Sequence, residues 1–134
     1  MKKILIFTII LVSYFNSFSQ SSFEKGYFIK NSGEKVECLI KYLDLLYNPQ
    51  NFNYKLSKDS KEIKATIEEV KVFEIYNFVK YERYVVKIDR SSEIIDQVSV
   101  SRKVKFNEER LFLKVLIEGE ASLYQYSESN FLRF

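Results

Sequence analysis

Histidine and tryptophan are absent from this 134-residue chain, which holds one cysteine, one proline and three glycines. Each shortage excludes something. Without imidazole there is no Ser–His–Asp triad, no Cys–His pair and no histidine metal site. One cysteine, Cys38, excludes an intrachain disulfide and a thiolate zinc cluster. Three glycines cannot supply a phosphate-cradling loop, and one proline cannot supply a collagen-like repeat. Nothing in the composition implies a cofactor. What the chain has in quantity is aromatic side chains, 10 Tyr and 12 Phe. Aromatics suit strands and fill small β-cores, and tyrosine also gives rigid contact area at interfaces.

The N-terminus reads as an address. Lys2 and Lys3 precede an uncharged run from Ile4 to Val12, and Ser17 and Ser19 have the small-residue spacing of a signal-peptidase site. Cleavage is expected after Ser19, with residues 1–19 as signal peptide and 20–134 as one β-rich domain. The apolar core of about 9–12 residues falls short of the roughly 20 that cross a bilayer. The alternative is an uncleaved anchor. A lipidated cysteine would directly follow the apolar core, whereas Cys38 lies far downstream. Removing Lys2 and Lys3 takes two of the 21 basic residues and none of the 18 acidic ones. The exported part is then close to neutral and its lysines are spread out, so it has no electrostatic footprint for nucleic acid. The expected location is the periplasm, the outer-membrane surface or the outside of the cell.

The dominant period downstream is two. Val36, Cys38, Ile40 and Tyr42 share a face, with Glu37 and Lys41 opposite. Strands are expected at about 26–30 and 35–42, joined by a turn at Gly33. Further strands are expected at Phe52–Leu56, Val72–Tyr76, Tyr81–Asp89, Arg110–Glu118, Ala121–Tyr126 and Phe131–Phe134, with a break at Asn48-Pro49. Thr66-Ile67-Glu68-Glu69 fits a capping box and predicts one or two helical turns. The stretch from Arg90 to Asn107 has no sustained period. Arg110–Glu118 is apolar on both faces, which predicts a central strand with Leu113 and Val115 deeply buried. The fold class is all-β: an antiparallel sheet of about seven or eight short strands, curled into a sandwich or partial barrel, with one short helical turn.

The chemistry is sparse. Acid pairs occur at Glu68/Glu69, Glu108/Glu109 and Glu118/Glu120. Sequence spacing alone does not place two carboxyls across a cleft, as a glycosidase needs. Ser32-x-x-Lys35 sits at a hairpin rather than on a helix, away from the context that makes this spacing catalytic. Asp44, Asp59, Asp89 and Asp96 are too scattered for a calcium loop. Cys38 alternates with apolar neighbours and reads as a small buried hydrophobe. Tyr124 and Tyr126 share a strand face, either an exposed binding ladder or a packed one. Phe131-Leu132-Arg133-Phe134 reads as a bare edge strand, which natural sheets usually cover. Tyr124, Tyr126, Phe131 and Phe134 are therefore the candidate interaction surface, for a protein partner or a downstream domain.

Phe23-Glu24-Lys25-Gly26-Tyr27-Phe28-Ile29, Gly33–Lys41 and Leu111–Tyr124 together resemble a group of uncharacterised secreted proteins of Bacteroidota, as does the Ser-x-Ser-Gln end of the signal. Leu45 stands where that group has Trp. The resemblance implies an envelope protein that continues past Phe134, in some members toward an outer-membrane barrel, and it assigns no activity. The reading is thus a non-catalytic, exported envelope and interaction module whose ligand is unknown. The alternative is a small secreted hydrolase using carboxylates.

Overall fold

The computed structural model describes residues 22–41, 47–90, 106–128 and 131–133. The signal segment, the 90–107 stretch beyond Arg90 and before Phe106, Tyr42 and Phe134 lie outside the described residues. Nine strands follow one another: β1 (Phe23–Lys30), β2 (Lys35–Lys41), β3 (Asn51–Lys55), β4 (Ile63–Thr66), β5 (Val70–Ile75), β6 (Val79–Asp89), β7 (Phe106–Ile117), β8 (Leu123–Glu128) and β9 (Phe131–Arg133). They form one antiparallel sheet in the order β4-β3-β2-β1-β5-β6-β7-β8-β9, curled into a half-barrel.

The curl follows from one short connection. β4 lies at the sheet's edge and β5 lies four places away, yet only residues 67–69 join them. A flat sheet would set these strands about 19 Å apart, four spacings of about 4.8 Å. Thr66 to Val70 reaches about 14 Å at full extension. The strands between must therefore roll until β4 meets the start of β5. The roll brings Phe52 of β3 onto Phe73 of β5, with ring centroids 4.3 Å apart across two intervening strands. At the same end, Asn31 donates from its backbone N–H to the Glu69 carbonyl and from Nδ2 to the Glu68 carbonyl. Arg83 also donates to the Ile67 carbonyl at 2.9 Å.

The expected helical turn is corrected here. Thr66 and Glu69 make only half of a capping box: the Thr66 N–H and hydroxyl both donate to Glu69 Oε2, while the Glu69 N–H donates to the Thr66 carbonyl rather than to its side chain. No helix grows from them among the described residues. The following Val70–Ile75 run is claimed by β1 on one side and β6 on the other. A box closes one turn, and the β-branched run behind it then decides the structure.

The inner face carries the main core: Phe28, Cys38, Ile40, Phe52, Phe73, Ile75, Tyr81 and Phe112, all buried. The outer face carries a smaller cluster of Ile88, Leu111 and Tyr126, flanked by Val86 and Leu113. β7 is apolar on both faces because it serves both clusters, Phe112 inward and Leu111 outward. It is not the middle of the sheet, and Leu113 and Val115 are half-buried rather than deeply buried. β5 is the middle strand of the sheet, and β1 lies beside it. Gly26 is placed where they meet, since a Cβ there would stand 2.1 Å from the Glu74 carbonyl oxygen.

β8 changes partner midway. It pairs with β7 through Leu123–Gln125 and with β9 through Tyr126–Glu128. Asn48, arriving from the β2–β3 connection, fills the fork. Its Nδ2 donates to the carbonyls of Phe112 at 2.6 Å and Gln125 at 3.0 Å. Its N–H donates to the Ser127 carbonyl, and its Oδ1 accepts from the Ser127 N–H at 2.9 Å.

Candidate functional site

The outer face carries separate clusters of hydrogen-bonded and ion-paired side chains. Tyr27 donates to Glu74 at 2.9 Å, and Tyr76 donates to Glu37 at 2.7 Å. Lys35 pairs with Glu37 and sits 4.0 Å from the Tyr27 ring centre. Farther along, Glu82 accepts from Tyr84 at 2.8 Å and Tyr124 at 3.0 Å, and pairs with Lys80. Burial alone would raise the Glu82 carboxyl, but Lys80 and the two phenols outweigh it and hold it below the usual carboxylate range. Its Tyr124 neighbour and Glu82 in turn push the Tyr84 phenol up. These groups hold one another in place.

The sequence-predicted surface is split by the fold. Tyr124 and Tyr126 do share the outer face of β8. Tyr126 is buried in the smaller core beneath the Arg90 guanidinium, which lies 5.4 Å from its ring centre. Tyr124 is half-buried, with its hydroxyl 3.0 Å from that of Tyr84. The packed alternative thus holds for Tyr126. Phe131 opens β9, opposite Glu128, and Phe134 lies outside the described residues. β9 ends the sheet at one edge and β4 at the other; both are short and carry a cation, Arg133 and Lys64. Short charged edges are how sheets avoid unwanted pairing.

The acid pairs come apart in the same way. Glu68 pairs with Arg110, Glu109 with Arg90, and Glu118 with Lys80, while Glu69 is held by Thr66. Ser32 accepts from the Glu34 N–H in the β1–β2 turn. Lys35, its partner in the Ser-x-x-Lys pattern, is committed to Glu37. Among the described residues no three His, Cys, Asp or Glu side chains converge on a metal position.

A groove of about 1070 Å³ lies at the end of the half-barrel where β1 begins and β5 turns into β6. Its walls are Phe23, Leu39, Ile75, Tyr76 and Phe78. Phe78 is 59% exposed at the tip of the turn. Asn77 makes that turn possible by taking φ 59°, a left-handed conformation that Asn tolerates, and the Phe78 N–H closes it on the Ile75 carbonyl. Lys25, Lys55 and Lys58 stand around the walls with a single carboxylate, Glu24. None of the three lysines forms an ion pair among the described residues, and Lys55 lies 4.7 Å from the Phe23 ring centre.

Sequence reasoning missed this groove because its residues come from β1, β2, the β3–β4 connection and the β5–β6 turn. One signal was present: an aromatic on each side of Asn77, at a turn where exposed polar residues are the rule. Among the described residues, no helix is long and apolar enough to cross a membrane. No protein-family model matches the chain, and neither a curated protein nor a solved structure matches it.

Proposed function

We propose that the chain is an exported, non-catalytic interaction module of the cell envelope that receives its partner in the groove at the β5–β6 turn. Export rests on the charged, apolar and small-residue order of residues 1–19 and on the resemblance to secreted Bacteroidota proteins. The groove is the observation that carries the binding role. Its lining is mostly apolar, its rim holds an exposed aromatic at a turn, and none of its three lysines forms an ion pair among the described residues. An exposed aromatic in a concave site is the usual anchor of recognition. The hydrolase alternative is disfavoured by the acid pairs, each of which has a member tied to a cation, and by the single carboxylate at the groove.

Photo-crosslinking in the producing cell tests this reading. A photoreactive phenylalanine analogue at position 78 should give a discrete adduct. The same analogue at Lys87, exposed toward the far end of β6, should give none. Equal yields at both positions would refute the assignment, and the adduct's mass would report the partner's size.

A further inference from the structure

The groove's chemistry narrows what it takes, given that it is the binding site. The strands that line it are paired on both sides except at the start of β1, where Phe23–Lys25 pair with β2 while the ladder to β5 begins only at Gly26, and the Lys25 carbonyl accepts from the Tyr76 N–H. An extended peptide draws its affinity from main-chain bonds to an open strand edge, and the edge open here is no longer than the three residues at the start of β1. Most of what the groove offers a ligand is therefore side chain. Those side chains supply apolar area and positive point charge. Lys25, Lys55 and Lys58 against Glu24 concentrate cations in a chain whose net charge is only +3. A cleft lined by one sign of charge attracts the opposite sign. Lysine ammonium groups neutralise a head group without demanding the planar, two-pronged geometry that arginine selects. A volume of about 1070 Å³ leaves room for one small ligand.

We infer that the groove binds a single-chain anionic amphiphile. Lys55 and Lys58 neutralise its carboxylate or phosphate head, and Phe23, Leu39 and Phe78 cover its hydrocarbon body. No bond is made or broken. The inference builds on the groove being the interaction site, and it adds the class of ligand.

The protein as it accumulates in the producing cell is titrated, below micelle-forming concentrations, with dodecyl phosphate, dodecyl maltoside and dodecyltrimethylammonium. Calorimetry reads affinity, and amide chemical shifts read location. Dodecyl phosphate should bind about tenfold or more tightly than the maltoside, and the cationic probe should bind weakest. Shifts should centre on Phe23, Leu39 and Phe78. The double variant K55Q/K58Q should lose about tenfold for the phosphate and nothing for the maltoside, while K64Q, on the β4 edge, should change neither. Equal affinity for all three heads would overturn the inference, as would a phosphate affinity that K55Q/K58Q leaves intact. A protein-sized adduct at position 78 without dodecyl phosphate binding would keep the groove as the interaction site and remove this ligand class. Dodecyl phosphate binding with a protein-sized adduct absent would support it.

Discussion

Cys38 shows how much a single position can say. Alternation places it beside Val36 and Ile40, and the fold buries all but 7% of it in the main core. Burial pushes its thiol up to about 12, with Glu37 adding to the effect. The thiolate is the reactive form, so a thiol held this high is inert at neutral pH. The expected outcome is no reaction with a disulfide reagent in buffer and complete reaction in denaturant. Cys38→Ser should cost about 1–2 kcal/mol, because a hydroxyl replaces a small apolar group in a site without a partner for it. Fast labelling of the folded protein would contradict the burial. Asn48 is the opposite case. Beside Pro49 it reads as a turn former, and nothing local announces that it bridges β7 and β8. Its partners Phe112, Gln125 and Ser127 are brought to it only by the finished sheet.

At the scale of elements, β7 is where the reading and the fold differ most usefully. Two apolar faces were legible, and both are used. Which of its residues lie deepest was not legible, because depth depends on where the sheet rolls. Phe112 points into the curl against Phe73, with ring centroids 5.1 Å apart, whereas Leu113 flanks the smaller outer cluster. Phe112→Ala should therefore destabilise by about 3–5 kcal/mol and Leu113→Ala by about 1–2 kcal/mol, below the full range for a core leucine. Urea denaturation of the two variants checks the order, and a larger loss at Leu113 would mean that the outer cluster is the principal core. The same logic sorts the rest of the chain. Most strand positions were readable because period two is a local signal, from Val36–Ile40 through Phe52 to the Leu111–Leu113 run; β4 was not, since its four residues, Ile63–Thr66, are too few to show a period. The 67–69 turn looked helical because a capping box is also local, while the β-pairing that overrides it involves β1 and β6. The groove was not readable, since its walls are assembled from four separate elements. Tyr124 and Tyr126 were correctly placed on one face, but only the position of Arg90 decides that Tyr126 is covered.

For the molecule as a whole, the polar clusters on the outer face make stability depend on pH at both ends. Arg90 holds Glu109 and Glu128 below the usual carboxylate range, and Lys80 with two phenols does the same for Glu82. At the exposed pairs, Lys35 lowers Glu37 and Lys41 lowers Glu62. A carboxyl depressed in the folded state favours folding above its ordinary value of 4.5, and that contribution disappears as pH falls through the depressed one. On the alkaline side, Tyr84 is raised by Tyr124 and Glu82, Tyr76 by Glu37, and Tyr27 and Tyr126 chiefly by burial. Lys80 is raised as well, its carboxylate partners outweighing burial. A phenol or ammonium whose folded value is raised stabilises the fold below its ordinary value and loses that contribution as pH climbs past it, which for tyrosine begins near 10.0. The urea midpoint should therefore be flat between about pH 5 and pH 9 and fall on either side. Arg90→Gln should lower the plateau and shallow the acid limb, because Glu109 and Glu128 then titrate closer to their unfolded values. Salt should weaken the exposed Lys35–Glu37 pair more than the cluster around Arg90. A midpoint that rises on acidification, or an acid limb that Arg90→Gln leaves unchanged, would show that these clusters do not hold the outer face together.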